Sequence, residues 1–318
     1  MIGSMQGTAQ PLASRWRRFR RSEMLPGLLF ISPWIIGFCW FQIYPILASI
    51  YYSFTSYNMM QPPISVGLSN YQNLFFHDDL FWKSLGNTAI YSALSVPLGL
   101  IVSCGFAMLL NRNIPGRPFF RTAFYFPVVV PSVATSILWT MMLSGQGGLV
   151  NTFLGFFGIP SIPWLSSPQW AMSSLILISL WNIGASVVIF LAGLQDVPRS
   201  LYEAAQIDGA GPLSLIRHVT IPMISPVILF NLVIGIISAF QVFAFPFIIF
   251  GAGTQGDSGG PLNSVLMYSV QLFTQAFKYF NMGYAAAMAW VLFIATMATT
   301  AILFATARKW VHYGGGMS

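Results

Sequence analysis

The sequence predicts an all-α integral membrane protein with six transmembrane helices. Hydrophobic residues make up 56% of the chain and charged residues only 7%, whereas about 25% of the residues in a typical soluble domain are charged. Six apolar segments, each long enough to cross a bilayer as a helix, follow one another along the chain. Basic residues are concentrated on one side of these segments, which is the distribution that orients membrane helices.

The predicted spans are separated by polar or glycine- and proline-rich loops. They cover about residues 25–54, 84–110, 122–143, 171–194, 221–250 and 283–307. The first span contains Pro33 and Pro45 and exceeds the ~20 residues that a bilayer requires, so we expect it to tilt or kink. Residues 144–169 have no charge and several aromatic rings, which favours short helices at the membrane interface. We interpret residues 265–280, in the last outer loop, as an amphipathic segment.

The distribution of Lys and Arg predicts the orientation. Twelve basic residues lie on the side of the N-terminus: Arg15, Arg17, Arg18, Arg20, Arg21, Arg112, Arg117, Arg121, Arg199, Arg217, Arg308 and Lys309. Only Lys83 and Lys278 lie on the opposite side, so both termini are expected in the cytoplasm. The chain then divides into a basic cytoplasmic tail (1–22), a six-helix transmembrane domain (23–309) and a cytoplasmic C-terminal tail (310–318).

Residues 201–218, on the predicted cytoplasmic side, form a polar interruption between the fourth and fifth spans. Leu201–Ile207 consists mainly of good helix formers. Gly209 and Gly211 follow and are expected to end this helix, because glycine adopts the left-handed conformation found at helix ends. Pro212 can occupy the first position of a second short helix, where its missing N–H costs nothing. The sequence therefore predicts two short helices joined by a glycine bend.

This 201–218 loop resembles the EAA loop of ABC importer permeases. The residues that match are Glu203, Ala204, Ala205, Asp208, Gly209 and Ala210. Pro222 follows twelve residues after Ala210, the last of these. The sequence DGAGP at 208–212 and the GGP at Gly259–Pro261 are similar to the maltose-type, carbohydrate-uptake branch of that family. Gly67–Phe75 is similar to a segment that follows the first span in the same family, whereas Ile216 stands where an aromatic residue is usual.

The resemblance implies a type I ABC importer permease fold in the cell membrane of a prokaryote. It also implies three kinds of protein partner: a second, homologous permease subunit, a dimer of cytoplasmic ABC ATPases that docks on the 201–218 loop, and an extracytoplasmic sugar-binding protein. ATP and Mg²⁺ would be bound by the ATPase, so no cofactor is expected on this chain. By this resemblance the chain forms half of a translocation pathway and is not itself an enzyme.

Several other functions are disfavoured by the residues themselves. The sequence has no GxxxxGK[ST] phosphate-binding loop, so ATP binding of that kind is not expected. Its three histidines (His77, His218 and His312) lie in predicted loops or tails, so neither a catalytic nor a metal site is expected. The basic residues flank apolar runs, which favours contact with membrane lipid over nucleic acid. No Asp, Glu, Lys, Arg or His falls inside a predicted span, which argues against coupling to protons or ions.

Polar residues within the spans are the candidates for a substrate pathway. They are Trp181, Asn182, Asn231, Ser238 and Gln241. Neutral amides and hydroxyls beside aromatic rings suit a sugar, and spacings of seven and three place the last three residues on one helical face. The family resemblance likewise implies sugar contacts from the fifth span. The alternative for each residue is a hydrogen bond between neighbouring helices.

Three other functions remain open at this level. Within the same class, the substrate could be a polar non-sugar solute such as glycerol phosphate. From other classes, the chain could be a stand-alone secondary carrier or channel, or a membrane scaffold that only anchors a soluble complex.

Overall fold

The computed structural model describes residues 24–112, 115–251 and 259–312, which are almost entirely helical. The tail at 1–22 and residues 313–318 lie outside the described residues. Four helical stretches are long and apolar enough to cross a membrane: Pro26–Ser53, Asp79–Asn111, Ser225–Gly251 and Met282–Ala307. Two bent helix pairs bring the number to six if each pair is one span, which agrees with the predicted all-α membrane fold.

The first half of the described chain contains seven helices. They are α1 (Met24–Phe38), α2 (Tyr44–Ser53), α3 (Ser69–Phe76), α4 (Asp79–Asn111), α5 (Arg117–Val129), α6 (Ser132–Met142) and α7 (Leu149–Gly155). A π-helical turn at Cys39–Ile43 joins α1 to α2. A two-stranded antiparallel ribbon pairs β1 (Thr55–Ser56) with β2 (Ile64–Ser65).

The second half of the described chain contains nine α-helices. They are α8 (Pro168–Ser179), α9 (Gly184–Gln195), α10 (Arg199–Ile207), α11 (Pro212–Leu215), α12 (Ile221–Met223), α13 (Ser225–Phe240), α14 (Ala244–Gly251), α15 (Tyr268–Phe273) and α16 (Met282–Ala307). Short turns link some of them: 3₁₀ turns at Leu180–Asn182 and Pro261–Asn263, and π turns at Ile216–Thr220 and Thr274–Lys278.

The third and fourth spans are each broken into two helices. Helices α5 and α6 meet at 100° and α8 and α9 at 51°. The first break lies at Val130, whose extended backbone (φ −73°, ψ 130°) is the conformation favoured for a residue that precedes a proline, here Pro131. The second break lies at Ile183, between the 3₁₀ turn at Leu180–Asn182 that extends α8 and the start of α9 at Gly184. Neither span is therefore the single uninterrupted helix that hydropathy alone suggests.

The second and fifth spans also differ from their predicted bounds. Helix α4 begins at Asp79, before the predicted start at residue 84, because the Asp78 carboxylate caps it by accepting a hydrogen bond from the N–H of Phe81 at 3.0 Å. The fifth span begins a new helix at Ser225 and is interrupted after Phe240, before α14.

The segment interpreted as amphipathic, 265–280, is buried in its first half rather than lying on the surface. The hydroxyl of Tyr268 donates to the carbonyl of Met288 at 2.8 Å, and burial raises the pKa of this tyrosine, so the donor stays protonated. The amide of Asn87 donates to the carbonyl of Leu266 at 3.1 Å. These bonds fix the segment between α4 and α16.

Three clusters of buried side chains hold the helices together. One joins the second and fourth spans to residues 265–270 and includes Tyr91, Leu175, Val265 and Val270. A second, at the end nearest the 201–218 loop, includes Ala107, Leu110, Phe190, Leu194 and Ile224. A third, near α3, includes Leu74, Phe81, Tyr268 and Met288. Because each cluster joins residues from three or more segments, packing decides how the spans are arranged.

Gly184 allows α9 to lie directly against α5. A Cβ built on this glycine would overlap the backbone carbonyl of Phe124. We expect Gly184→Ala to lower the free energy of unfolding by about 1–3 kcal/mol, because backbone atoms have little freedom to move aside. The measurement is the thermal unfolding midpoint of the purified chain in detergent. The control is Gly105→Ala on α4, where the new Cβ meets no atom within 4 Å. This variant should leave the midpoint unchanged or raise it. Equal midpoints for the two variants would contradict the expectation.

Candidate functional site

A cavity of about 330 Å³ lies between the middle of α4, the break between α8 and α9, and α13. Hydroxyl and amide side chains form its polar lining: Tyr91, Ser95, Ser179, Asn182, Ser186, Asn231 and Ser238. Apolar side chains complete the wall: Val96, Leu100, Leu180, Ile183, Ile234, Val242 and Phe245, with glycine and alanine between them. Among the described residues, no charged side chain lines this cavity.

The bend in the fourth span creates one wall of the cavity. Helix α8 ends at Ser179, and the 3₁₀ turn that follows places Asn182 at the break. Ser179, Asn182 and Ser186 are spaced by three and four residues, so they follow one side of the chain through the bend. Ser179 bonds the carbonyl of Ile176 at 2.6 Å, within its own helix.

The opposite wall comes from α13. Asn231 is buried and its amide nitrogen donates to the carbonyl of Val227 at 2.9 Å, one turn earlier. Ser238 lies two turns further along the same helix and also lines the cavity. Gly235 lies between these two residues on the lining, where a Cβ would come within 2.9 Å of the Val96 side chain on α4.

Three of the five predicted pathway residues, Asn182, Asn231 and Ser238, therefore come together at one cavity. Gln241 does not, because α13 ends at Phe240 and the side chain of Gln241 is exposed beyond the helix end, so the predicted shared face does not extend to it. Trp181 does not line the cavity either. Its ring packs edge-on against Trp139, with ring centroids 5.8 Å apart.

Sequence reasoning missed the contribution of α4. Tyr91 and Ser95 face the cavity from this helix, four residues apart. Their spacing on one helical face was the only available signal. It is weak because serine occurs at many positions of this span, and the sequence does not show which of them meets the fourth and fifth spans.

The 201–218 loop adopts two short helices, α10 and α11, with a sharp turn between them. Gly209 ends α10 in the left-handed conformation (φ +81°), as predicted. Its N–H donates to Gln206 at 3.0 Å, and the next N–H, that of Ala210, donates to Ala205 at 2.9 Å. This pair of bonds is the Schellman motif. Gly211 has φ −75° and ψ 169°, so it does not end α10 but precedes the next helix.

Most of the motif residues on this loop are accessible. Glu203, Ala204, Asp208 and Gly209 are exposed, and Ala205 and Ala210 are half-buried. Two large apolar side chains beside them are also strongly exposed: Ile207 at 86% and Leu213 at 78%. A hydrogen bond of 3.1 Å between the hydroxyls of Tyr202 and Thr220 ties α10 to the following turn. The loop is thus a rigid protrusion with an apolar tip.

The described residues contain no group of three or more His, Cys, Asp or Glu side chains arranged to hold a metal ion. His77 is exposed in the loop after α3. Its neighbour Asp78 is engaged by the hydroxyl of Tyr284 at 2.6 Å as well as by its role at the start of α4.

Comparison with known proteins gives a consistent result. Residues 95–311 match the family described as binding-protein-dependent transport system inner membrane component. The chain is 43% identical to the probable ABC transporter permease protein YesP of Bacillus subtilis, over 95% of this chain and 96% of that protein. It is 35% identical to the lactose transport system permease protein LacF of Rhizobium radiobacter, over 89% and 94% of the two chains.

A solved structure has the same fold. The chain superposes with a TM-score of 0.77 on a subunit of a bacterial ABC transporter involved in the import of the acidic polysaccharide alginate. The superposition covers 93% of this chain and 99% of that subunit, at 24% sequence identity.

Proposed function

Because the chain belongs to the family of binding-protein-dependent transport system inner membrane components, we propose that it is a permease subunit of an ATP-driven carbohydrate importer. In this proposal it forms half of the translocation pathway in the cell membrane. The second half comes from a homologous permease subunit. An extracytoplasmic binding protein delivers the sugar, and two copies of a cytoplasmic ABC ATPase, which bind ATP and Mg²⁺, drive the cycle.

The uncharged polar cavity is the observation that carries the carbohydrate assignment. Its hydroxyl and amide groups can exchange hydrogen bonds with sugar hydroxyls, and its apolar wall, which includes Phe245, suits the apolar face of a sugar ring. Glycerol phosphate would bring a charge that no described lining residue neutralises. The lactose permease among the relatives agrees with this choice.

The 201–218 loop is proposed as the site of contact with the ATPase. Exposed side chains as large as Ile207 and Leu213, on a rigid protrusion, are typical of a protein contact. Glu203 lies on the same helix and can meet a cation of the partner, while Ala204, Ala205 and Ala210 allow the partner to approach the backbone closely. Closure of the ATPase dimer would draw the two loops of the paired permeases together and change the access of the cavity.

The first span is proposed to lie between membrane lipid and the second permease. Side chains along Pro26–Ser53 are exposed in the isolated chain, for example Phe30 at 88% and Phe41 at 75%. Apolar surface of this extent requires a bilayer or another apolar surface to cover it.

The experiment is reconstitution of the chain in liposomes with its second permease, ATPase and binding protein. Sugar uptake that requires ATP and the binding protein would support the proposal. Flux through this chain alone without ATP would instead favour a stand-alone carrier, and the absence of any flux in the complete system would favour a scaffold. Uptake of glycerol phosphate but not of sugars would retain the importer and change its substrate.

We expect Glu203→Lys to reduce ATP-dependent uptake at least tenfold, because the substitution replaces an attraction to a partner cation with a repulsion of similar size. The Glu203 side chain is exposed, so membrane insertion and expression should be unchanged. Uptake by proteoliposomes and the amount of assembled complex are measured together. Asp196→Lys reverses another exposed acidic residue before the loop and should retain uptake; equal loss in both variants would count against a specific contact at Glu203.

A further inference from the structure

Three arginine side chains line one cavity beside the N-terminal end of the 201–218 loop. Arg117 and Arg121 lie one turn apart on α5, and Arg199 is the first residue of α10. The cavity has a volume of about 760 Å³. The distribution of basic residues along the chain places it on the cytoplasmic face.

The two α5 arginines are incompletely satisfied. With the amide of Gln195 turned so that its oxygen faces them, that oxygen accepts one hydrogen bond from Arg117 Nη2 and one from Arg121 Nη2, each at 2.9 Å. The Nε atoms of both arginines are buried and have no hydrogen-bond partner among the described residues. A single neutral oxygen therefore holds two guanidinium groups together, which leaves strong donors without acceptors.

Nothing in the described lining neutralises these charges. Besides the three arginines, the lining consists of Asn111, Leu194, Gln195, Val197 and Tyr202. Asp196 is next to Gln195 in the sequence but does not line the cavity. Three cations around one cavity without an anion repel one another, so a bound anion would be stabilised there.

The donors in this cavity suit an oxyanion such as a phosphoryl group better than a halide. Each guanidinium presents a planar fork of N–H groups that fits two oxygens of the same phosphate. The N-termini of α5 and α10 carry partial positive charge and lie at the same place, which adds to the attraction. We propose that this arginine cavity is a binding site for a phosphoryl group, carried either by a soluble phosphate ester or by the headgroup of an anionic lipid.

The position of the site suggests a regulatory consequence, which rests on the function proposed above. Arg199 and Tyr202 line the cavity and belong to α10, the helix that also carries Glu203. A bound phosphoryl group would therefore hold α10 against α5 and limit movement of the 201–218 loop. Binding itself does not depend on transport and can be measured without the ATPase.

The test uses the purified full-length chain and two sources of phosphoryl group. Calorimetric titration in detergent with inorganic phosphate and with glycerol 3-phosphate examines the soluble source. Thermal unfolding in nanodiscs of phosphatidylglycerol, compared with phosphatidylcholine, examines the lipid source. We expect binding in at least one arm, and the paired substitution Arg117→Gln with Arg121→Gln should weaken it at least tenfold or abolish the stabilisation by phosphatidylglycerol.

The controls separate this site from general attraction to basic residues. Arg308→Gln removes an exposed cytoplasmic arginine at the end of α16 and should leave binding unchanged. The paired change to lysine keeps both charges and should retain part of the affinity, which shows that loss in the glutamine variant is not misfolding. Binding in neither arm, or equal loss in the Arg308 variant, would overturn the proposal; binding confined to one arm would support it and identify the source.

Discussion

Gly209→Pro is expected to abolish ATP-dependent uptake while leaving the chain inserted in the membrane. Proline holds φ near −65°, whereas Gly209 has φ +81°. The substitution also removes the N–H that donates to Gln206 at 3.0 Å. The Schellman turn between α10 and α11 cannot then form, so the exposed Ile207 and Leu213 would no longer be presented in their present arrangement.

A series of substitutions at two neighbouring glycines isolates the cause. A Cβ at Gly209 or at Gly211 meets no atom within 4 Å, so the two positions differ in backbone conformation and not in space. Gly209→Ala forces a left-handed alanine, which costs about 1–2 kcal/mol, and should give reduced uptake. Gly211→Ala keeps φ −75° and should transport normally. The measurement is uptake in reconstituted liposomes. Normal transport by Gly209→Pro at normal expression would show that the 201–218 loop has no role in coupling transport to ATP hydrolysis.

Ser238→Trp is expected to reduce substrate uptake at least tenfold. The indole would occupy much of a cavity of about 330 Å³ and would replace a hydroxyl among its polar lining. The residue lies on α13, away from the 201–218 loop, so assembly with the ATPase and the basal hydrolysis of ATP should persist. The informative measurement is therefore the ratio of sugar transported to ATP hydrolysed, which should fall steeply.

Phe230→Trp provides the matched control. Phe230 lies on the same helix, is 54% exposed and does not line the cavity. The substitution enlarges an aromatic side chain outside the cavity, so uptake should remain near that of the unsubstituted protein. If Ser238→Trp transports as well as Phe230→Trp, the cavity is not on the route of the substrate.

The two candidate regions differed in how far the sequence could predict them. In the 201–218 loop, contacts are local: the helix formers before residue 207, the left-handed glycine and the proline that opens α11 lie within one short segment. The two helices and the role of Gly209 were therefore predictable, whereas Gly211 was wrongly expected to end α10. Local pattern does not show which of two adjacent glycines adopts the left-handed conformation.

The cavity was predictable only in part. Asn231 and Ser238 share a helical face, and both line it. Gln241 would share that face if α13 continued, but the helix ends one residue earlier. The tyrosine from the second span was not predicted, because its approach to α13 depends on how separate spans pack.

By itself, the sequence determined the helical membrane fold and the two short helices of the 201–218 loop, and it predicts six spans and their orientation. Each of these depends on properties of a short segment: an apolar run must satisfy its own backbone in the bilayer, and the basic residues beside it set its direction. The tertiary structure alone decided the 100° and 51° bends, the polar cavity and the meeting of Arg117, Arg121 and Arg199. Those features arise from contacts between spans distant along the chain, and the pattern within one segment carries no information about its neighbours.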